Sequence, residues 1–291
     1  MKNARIEFGY FDDEGLRKSF NTLAKDTFGL DFESWYKEKA YYGRYTPYSY
    51  VTDNQVIANI SANRFYLMVD GVPKTAIQLG TVMTHPDFRK QGLSRLLMEH
   101  VLNQYVEKKD IIFLFANKSV LDFYPKFGFK RYDETIFEID ASKIEANPWA
   151  IHLLDPNSRQ DAFTLTNTAK MRKPISKTLG VYNDKWPLYC YMKQPSWERY
   201  YLVDEGAVVL GKREDDVLNI YDIISRGEVH LDNILEKIVS KEDKKIKLHF
   251  SAKSDKYKLK KINVHDDDNA LFVLSKEPLK GDIFFPLTSH T

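Results

Sequence analysis

Apolar and polar residues in the middle of the first half follow a pattern that predicts a strand, a loop and then a helix. The strand runs from Thr75 to Met83 and is largely apolar. A basic loop follows, with the sequence PDFRKQG at residues 86–92. Beyond it, apolar residues recur three and four positions apart, which is the spacing of one helix face; they are Leu93, Leu96, Leu97, Val101 and Tyr105. Gly92 therefore stands at the predicted helix start.

The next segment predicts a buried strand and a short helix. Ile111 to Phe115 is an unbroken apolar run, typical of a strand that is buried on both faces. Asn117 follows it. Ser119, with Asp122 three positions on, forms a capping pattern for a short helix that ends at Gly128.

The first seventy residues add a strand, a helix and a hairpin. Arg5 to Phe8 is predicted to be a strand, and a helix is predicted from about Asp13 to Phe28. Asp70-Gly71 lies between two apolar runs and is a strong hairpin signal. The order of elements predicts an α/β fold with a mixed, rather than purely parallel, sheet.

The second half repeats this pattern in a degenerate form. Aligning Ser254 with Ser119, an offset of 135 residues, matches apolar positions without a gap over nearly thirty residues. Polar positions change: Asn117 becomes Ala252, and Tyr124 becomes Leu259. At the same offset Gly227 falls on Gly92, but its surroundings, SRGEVHLD, are acidic. Chance agreement of apolar positions is the alternative explanation.

Composition excludes several classes of function. The 291 residues include 43 basic and 41 acidic ones, and a formal charge of +2 gives no field that would recruit nucleic acid or a membrane surface. The densest basic run, 253–261, is interpreted as a solvated helix face. Cys190 is the single cysteine, which with no apolar leader predicts a cytoplasmic protein. The seven scattered histidines predict no metal site.

The loop before the predicted helix has the features of an anion site. The first amides of a helix have no intrahelical partner, and the helix dipole places partial positive charge there. Gly92 would let a phosphate approach the backbone, and Arg89 and Lys90 would add charge. An ordinary strand, turn and amphipathic helix with two surface cations would explain the same residues.

Two motifs stand out: Arg89, Gly92 and Ser94 share one loop, and residues 123–129 read Phe-Tyr-Pro-Lys-Phe-Gly-Phe. Together they resemble the GNAT superfamily of acetyl-CoA-dependent N-acetyltransferases. Arg89, Gly92 and Ser94 match its Arg/Gln-x-x-Gly-x-Gly/Ala loop, with serine at a position that is usually glycine or alanine. Phe123 to Phe129 matches its Phe-Tyr-x-x-x-Gly-Phe signature. Two longer segments, TVMTHPDFRKQGLSRLLM and YTPYSYVTDNQVIANISAN, are similar to tandem-domain bacterial acetyltransferases related to the enhanced-intracellular-survival family.

The resemblance implies roles for named residues. Backbone groups of Val82, Met83 and Thr84 would hold the pantetheine arm between two splayed strands, and an amide near Val82 would polarise the thioester carbonyl. The pyrophosphate would bind where the loop meets the helix, at Arg89, Lys90, Gln91, Gly92, Leu93 and Ser94. Tyr124 would be the general acid for the departing thiolate, although it could equally pack as an aromatic anchor. Asn117 would orient the pantetheine amide or a water, or would only cap a turn.

The general base and the acceptor are less defined. The strand before the loop, IQLGTVM, carries no carboxylate. The resemblance to longer related acetyltransferases implies the terminal carboxylate, here at Thr291, as one candidate base, and a water relay stays equally open. Walls for an acceptor pocket would come from an aromatic and acidic segment, and these features suit a cationic amine. The residues concerned are Asp31, Glu33, Trp35, Tyr36 and Tyr41; ordinary helix packing explains them as well.

These observations predict two GNAT-like domains in tandem. Residues 1–148 would be the catalytic N-acetyltransferase domain, 149–275 a degenerate GNAT-like domain and 276–291 a C-terminal tail. The predicted function is transfer of an acetyl group from acetyl-CoA, a co-substrate, to the primary amine of a small molecule or peptide in a ternary complex. Alternatives are a non-catalytic acyl-CoA sensor or scaffold and a tRNA-dependent aminoacyl transferase. Homo-oligomer formation is left open.

Overall fold

The structure is a computed structural model that describes residues 4–39, 41–182, 188, 191, 192 and 194–290. Up to the junction between the halves, the elements are β1 Arg5–Phe8, α1 Glu14–Phe28, α2 Glu33–Lys37, β2 Tyr45–Thr52, β3 Gln55–Val69, β4 Val72–Thr84, α3 Leu93–Tyr105, β5 Ile111–Ala116, β6 Lys130–Tyr132 and β7 Glu134–Asp140. Beyond it follow β8 Ile151–Leu153, α4 Arg159–Ala169, β9 Leu179–Tyr182, β10 Glu198–Leu202, β11 Ala207–Glu214, β12 Val217–Ser225, α5 Leu231–Ile238, β13 Lys245–Leu248, β14 Lys260–Val264 and β15 Ala270–Ser275.

The strands form two mixed sheets, which confirms the predicted mixed α/β architecture. The first sheet has the order β1-β2-β3-β4-β5-β15-β6, with β9 paired to β3. The second has the order β14-β7-β13-β12-β11-β10-β8. In the first sheet β4 and β5 are parallel, and in the second β12 and β13 are parallel.

The two halves exchange a strand. β15, from the end of the chain, lies between β5 and β6 in the first sheet, while β7 lies between β13 and β14 in the second. At the offset of 135 residues β7 and β15 correspond, because Phe272 falls on Phe137 and Leu274 on Ile139. The division into 1–148, 149–275 and 276–291 stays a prediction. β7 belongs to the first of these segments but pairs in the second sheet, and β15 belongs to the second segment but pairs in the first sheet.

The expected elements of the first half are confirmed. α1 begins after Asp13, whose carboxylate accepts the Leu16 amide, and ends at Gly29 with φ +71°. In the hairpin, Asp70 and Gly71 have φ values of +48° and +76°, the left-handed conformations that a tight two-residue turn requires. α3 buries Leu93, Leu97, Met98, Val101 and Tyr105 against β2, β3 and β4. Leu96 instead lies past the edge of that face and is 48% exposed.

Two local predictions were wrong in detail. The short helix before Gly128 is a pair of 3₁₀ turns, Lys118–Val120 and Tyr124–Phe127, and the first is capped by Asn117 rather than by Ser119. Asn117 takes this role because its side-chain oxygen reaches the Ser119 amide at 3.0 Å. The basic run 253–261 contains no helix; it is a loop that leads into β14.

Candidate active site

The candidate site is a cleft between two parallel strands that separate. β4 and β5 pair only from Ala76–Gln78 to Ile111–Phe113, although β4 continues to Thr84 and β5 to Ala116. Beyond the last pair, the strands enclose a cleft of about 790 Å³. The loop before α3 and the two 3₁₀ turns close its sides. Main-chain groups of the separated strand ends therefore face a space that can hold an extended ligand.

Most of the predicted site residues meet in this cleft. Its lining includes Val82, Met83, Thr84, Arg89, Lys90, Gly92, Leu93, Ser94, Asn117 and Tyr124. Gln91 is exposed and is not among the lining residues; its side-chain amide donates to the Asp87 carbonyl at 3.4 Å.

Gly92 leaves the start of α3 open. Its φ is +79°, and a Cβ added there would meet nothing within 4 Å. No side chain among the described residues caps the helix at this end. The first amides of α3 are therefore available to an anion, as the helix dipole favours.

The side chains around the helix start give the cleft a positive rim. Arg89, Lys90, Arg95 and Lys126 line it, and Asp122 is the single carboxylate among its described lining residues. Arg89 Nε donates to the Thr84 carbonyl at 3.2 Å, which ties the loop to the end of β4. The hydroxyls of Thr84 and Ser94 are 2.8 Å apart. Serine at position 94 thus fits this loop and joins it to the strand.

Tyr124 both packs and lines the cleft. It is 4% exposed, and its ring lies 5.3 Å from that of Phe123, 6.1 Å from that of Phe129 and 5.6 Å from that of Phe272. Phe272 belongs to the exchanged strand β15, so the second half of the chain helps to hold this tyrosine. Burial raises the pKa of Tyr124 above its usual value, so the phenol stays protonated at neutral pH.

The geometry agrees with a match to a known family. Residues 14–132 match the model of a family described as Acetyltransferase (GNAT) domain. This segment is thus similar to a GNAT acetyltransferase domain. It holds β4, the loop, α3, β5 and Tyr124, and therefore the whole cleft apart from contacts made by β15.

Solved structures share the fold over nearly the whole chain. A probable N-acyltransferase of unknown function from Enterococcus faecalis is 13% identical, with a TM-score of 0.65 over 94% of this chain and 72% of that one. Eis1 from Mycobacterium abscessus is 14% identical, with a TM-score of 0.59 over 92% and 73%. A putative acetyltransferase from Pyrococcus horikoshii is 12% identical, with a TM-score of 0.51 over 100% and 97%. No curated protein matches the sequence.

The predicted acceptor residues do not line the cleft. Trp35, Tyr36 and Tyr41 pack in an aromatic cluster beneath α1, and Glu33 pairs with Arg17 at 3.2 Å. Asp31 accepts a bond from the backbone amide of Glu33. The neighbouring residues Thr27, Phe28 and Leu30, at the end of α1, reach the cleft instead.

Sequence reasoning missed part of the lining. Apart from the end of α1, the missed residues include Thr81, Phe88, Arg95, Phe115, Ser119, Asp122, Phe123 and Lys126. Arg95 directly follows the loop motif, and Lys126 stands inside the Phe-Tyr-x-x-x-Gly-Phe signature, so both could have been found by extending the motifs. Phe115 carries no such signal.

The end of the chain packs on the face of β5 that is opposite α3. The ring of His290 stacks on that of Phe115, with centroids 3.6 Å apart. Thr291, one of the two candidate sources of the base, lies outside the described residues, as does Cys190. Across the described ranges, no group of three histidine, cysteine or acidic residues could hold a metal ion. None of the described helices is long and apolar enough to cross a bilayer.

Proposed function

We propose that this chain transfers an acetyl group from acetyl-CoA to a primary amine, with both substrates bound to the GNAT domain. The observation that supports this most is that one cleft joins three features: the open start of α3 at Gly92, the separated ends of β4 and β5, and the buried phenol of Tyr124. An anion site alone would bind phosphate. Separated strands beside it add a place for an extended arm.

The binding roles follow from charge and space. The open amides after Gly92 hold the pyrophosphate, and the cations of the rim, Arg89, Lys90, Arg95 and Lys126, neutralise the phosphates. The pantetheine arm lies between the ends of β4 and β5, where it meets main-chain groups from Val82 to Thr84. Asn117 uses its side-chain oxygen to cap the first 3₁₀ turn, which leaves its amide nitrogen for the arm or for a water.

The chemistry is direct attack. The neutral amine nitrogen bonds to the thioester carbonyl carbon, the carbon–sulfur bond breaks, and the ammonium proton leaves to a base. A backbone amide near Val82 stabilises the negative charge on the carbonyl oxygen, an effect worth about 10²- to 10³-fold in rate. Tyr124 donates its proton to the departing sulfur and then regains a proton from the water that has taken the ammonium proton. Because the pKa of Tyr124 is raised, the transfer to sulfur accompanies cleavage of the carbon–sulfur bond rather than preceding it.

Several finer features stay predictions. Water is the relay that removes the amine proton in this proposal, and the acceptor is a small-molecule or peptide amine. Cytoplasmic location stays an expectation from cysteine usage. In the proposed reaction the second half contributes β15 and has no further role.

Calorimetric titration with acetyl-CoA tests the proposal. Wild-type protein should bind one acetyl-CoA per chain, and Gly92→Glu should abolish binding because it places a carboxylate at the pyrophosphate position. Gly71→Glu is the matched control, since Gly71 has φ +76° and equally open surroundings but lies in the distant hairpin. Saturable binding that is lost only in Gly92→Glu supports the cofactor site, and turnover with an amine then separates an enzyme from an acyl-CoA sensor. Absence of binding by wild type would contradict the proposal.

A further inference from the structure

Polar side chains are buried in the sheet beneath α1, next to the cleft. Ser49, Asn59 and Ser61, on β2 and β3, are each 0% exposed. A buried polar group is unfavourable unless it is hydrogen-bonded, so such residues are usually satisfied and often specify a local geometry. Their partners show which geometry they specify.

The hydrogen bonds of this group converge on Thr81. Asn59 Nδ2 lies 2.9 Å from the Thr81 carbonyl oxygen and 3.0 Å from Thr81 Oγ1. The amide orientation of Asn59 is fixed, because its Oδ1 accepts the Ser49 hydroxyl at 2.8 Å. Thr81 Oγ1 donates to Ser61 Oγ at 2.7 Å, which leaves it to accept from the Tyr45 hydroxyl at 2.8 Å.

Thr81 has a backbone conformation that needs such support. Its φ is +43°, which is unfavourable for a β-branched residue. At this point β4 bulges: Gly80 pairs with Ser61 and Met83 with Asn59, so Thr81 and Val82 together oppose Ile60. Conformations of this kind are unfavourable and persist only when their surroundings determine them.

The bulge lies where the proposed reaction needs a fixed amide. Thr81 and Val82 both line the cleft, just beyond the last pair of β4 and β5. We infer that Asn59, assisted by Tyr45, is a positioning residue: it holds Thr81 in its left-handed conformation and so aims the adjacent backbone amide at the thioester carbonyl. This inference rests on the proposed function and adds to it residues that neither motif contains.

The inference predicts a separation of binding from rate. An oxyanion donor acts only within about 2.7–3.1 Å of the oxygen it stabilises, so a small movement of the bulge removes most of its effect. Most of the proposed binding contacts lie outside the bulge, because the phosphates bind at the start of α3 and the arm also meets Met83, Thr84 and the end of β5. Asn59→Ala should therefore lower kcat by about 10- to 100-fold and leave the Kd for acetyl-CoA within about threefold of wild type.

The carbonyl carbon of bound acetyl-CoA provides a direct readout. With the acetyl carbonyl labelled with ¹³C, wild-type protein should move its NMR signal downfield, because a donor polarises the bond. Asn59→Ala should lose most of that shift. The matched control is Asn63→Ala, four residues along the same face of β3, where Asn63 is 1% exposed and is not bonded to Thr81 in the structure. Asn63→Ala should keep the full shift.

A second substitution distinguishes positioning from general destabilisation. Glycine adopts positive φ without strain, so Thr81→Gly added to Asn59→Ala should restore at least half of the carbonyl shift. A wild-type shift in Asn59→Ala, or no recovery in the double variant, would overturn the inference. Should Asn59→Ala not fold, Tyr45→Phe decides, since an unchanged shift there would also overturn it. Failure of wild-type protein to bind acetyl-CoA would instead contradict the proposed function.

Discussion

The two halves contain the same strand separation, but one is open and the other is bridged. In the second half β12 and β13 pair from Val217–Ile220 to Lys245–Leu248, and β12 then continues to Ser225 without β13, still paired with β11 on its other side. The C-terminal segment 283–289 crosses this gap. Phe284 exchanges hydrogen bonds with Ser251 at 2.9 and 3.1 Å, and the Thr288 hydroxyl donates to Asp222.

The starts of α3 and α5 also differ: the first is open and the second is occupied by side-chain hydrogen bonds. Asp232, in the first turn of α5, accepts the amides of Asp255 and Lys256 and the Ser254 hydroxyl. Gly227 precedes the N-cap of α5, His230, by three residues; it lacks the positive φ of Gly92, and its amide donates to the Ser225 hydroxyl at 3.1 Å. An anion at this helix start would meet a carboxylate that is already bonded there. The comparison teaches that one topology binds a ligand or closes on itself according to a few residues at the strand and helix ends.

Removing the Tyr124 hydroxyl should have the largest effect on the reaction rate, because the proposed general acid is lost. The bridged gap has Leu259 at the aligned position and lacks such a hydroxyl. In Tyr124→Phe we expect kcat to fall by about 10²- to 10⁴-fold, the range for a lost general acid, with the Kd for acetyl-CoA nearly unchanged. Thiol release with a reactive amine measures the rate.

Tyr105→Phe is the control for this substitution. Tyr105 is 8% exposed, and its hydroxyl lies 2.8 Å from that of Tyr48, in the same hydrophobic core as Tyr124. Its loss should reduce stability without reducing kcat. Turnover of Tyr124→Phe equal to that of wild type would leave Tyr124 with a packing role only.

The buried ion pair of the bridged gap should dominate its stability. Arg172, 1% exposed, donates two hydrogen bonds to Asp222, at 2.8 and 2.9 Å. Asp222→Ala leaves this guanidinium without its carboxylate, so the free energy of unfolding should fall by about 3–5 kcal/mol. Urea denaturation measures the loss.

The paired variant Arg172→Met/Asp222→Leu is the control, because replacing both charges by apolar residues is often close to neutral. It should regain most of the lost stability. Binding of acetyl-CoA to the open cleft should stay unchanged in folded protein. A single variant as stable as wild type would show that the pair does not secure the C-terminal segment.

Glu134 connects the C-terminal segment to β7 and should make stability depend on pH. Its carboxyl group accepts the Phe285 amide at 2.8 Å, and burial raises its pKa from 4.5 to about 8. Between these two values the folded chain keeps a proton that the unfolded chain has lost. Stability should therefore fall as pH rises from 4.5 to 8 and level off above that.

Glu134→Gln keeps the acceptor oxygen and removes the titration. At pH 8 this variant should be more stable than wild type by roughly 4 kcal/mol, because each unit of the pKa difference between the folded and unfolded chain corresponds to about 1.4 kcal/mol, and the two proteins should converge near pH 4.5. Thermal unfolding across this range measures both. Parallel curves would mean that Glu134 is ionised in the folded protein.

Much of the fold could be predicted because its elements depend on residues that are close together in the sequence. The helix periodicity of α1 and α3, the apolar run of β5 and the Asp70-Gly71 turn each depend on neighbours in sequence. The helix start at Gly92 could be predicted for the same reason, since it depends on the periodicity of the residues that follow it. Even the degenerate repeat could be detected, because apolar positions in β13 and β15 keep the offset from β5 and β7.

The remainder depends on contacts between distant segments. Nothing in the sequence of β7 indicates that it pairs with β13 rather than with its neighbour β6, since both partners suit an alternating strand. The bridging of the second gap by 283–289 likewise depends on Asp222, sixty residues earlier. The packing of the acceptor candidates could not be predicted, because aromatic side chains such as Trp35 satisfy a packing role and a binding role with the same composition.

The two aligned glycines give the smallest expected difference and the sharpest comparison. Gly92→Ala must place a Cβ on a residue with φ +79°, which costs about 1–2 kcal/mol. Gly227→Ala meets only Ser225 Oγ at 4.0 Å and needs no left-handed backbone, so its stability should stay within about 0.5 kcal/mol of wild type. Acetyl-CoA binding should weaken in the first variant and not in the second. Equal effects at the two positions would mean that backbone conformation at these glycines does not distinguish the open gap from the bridged one.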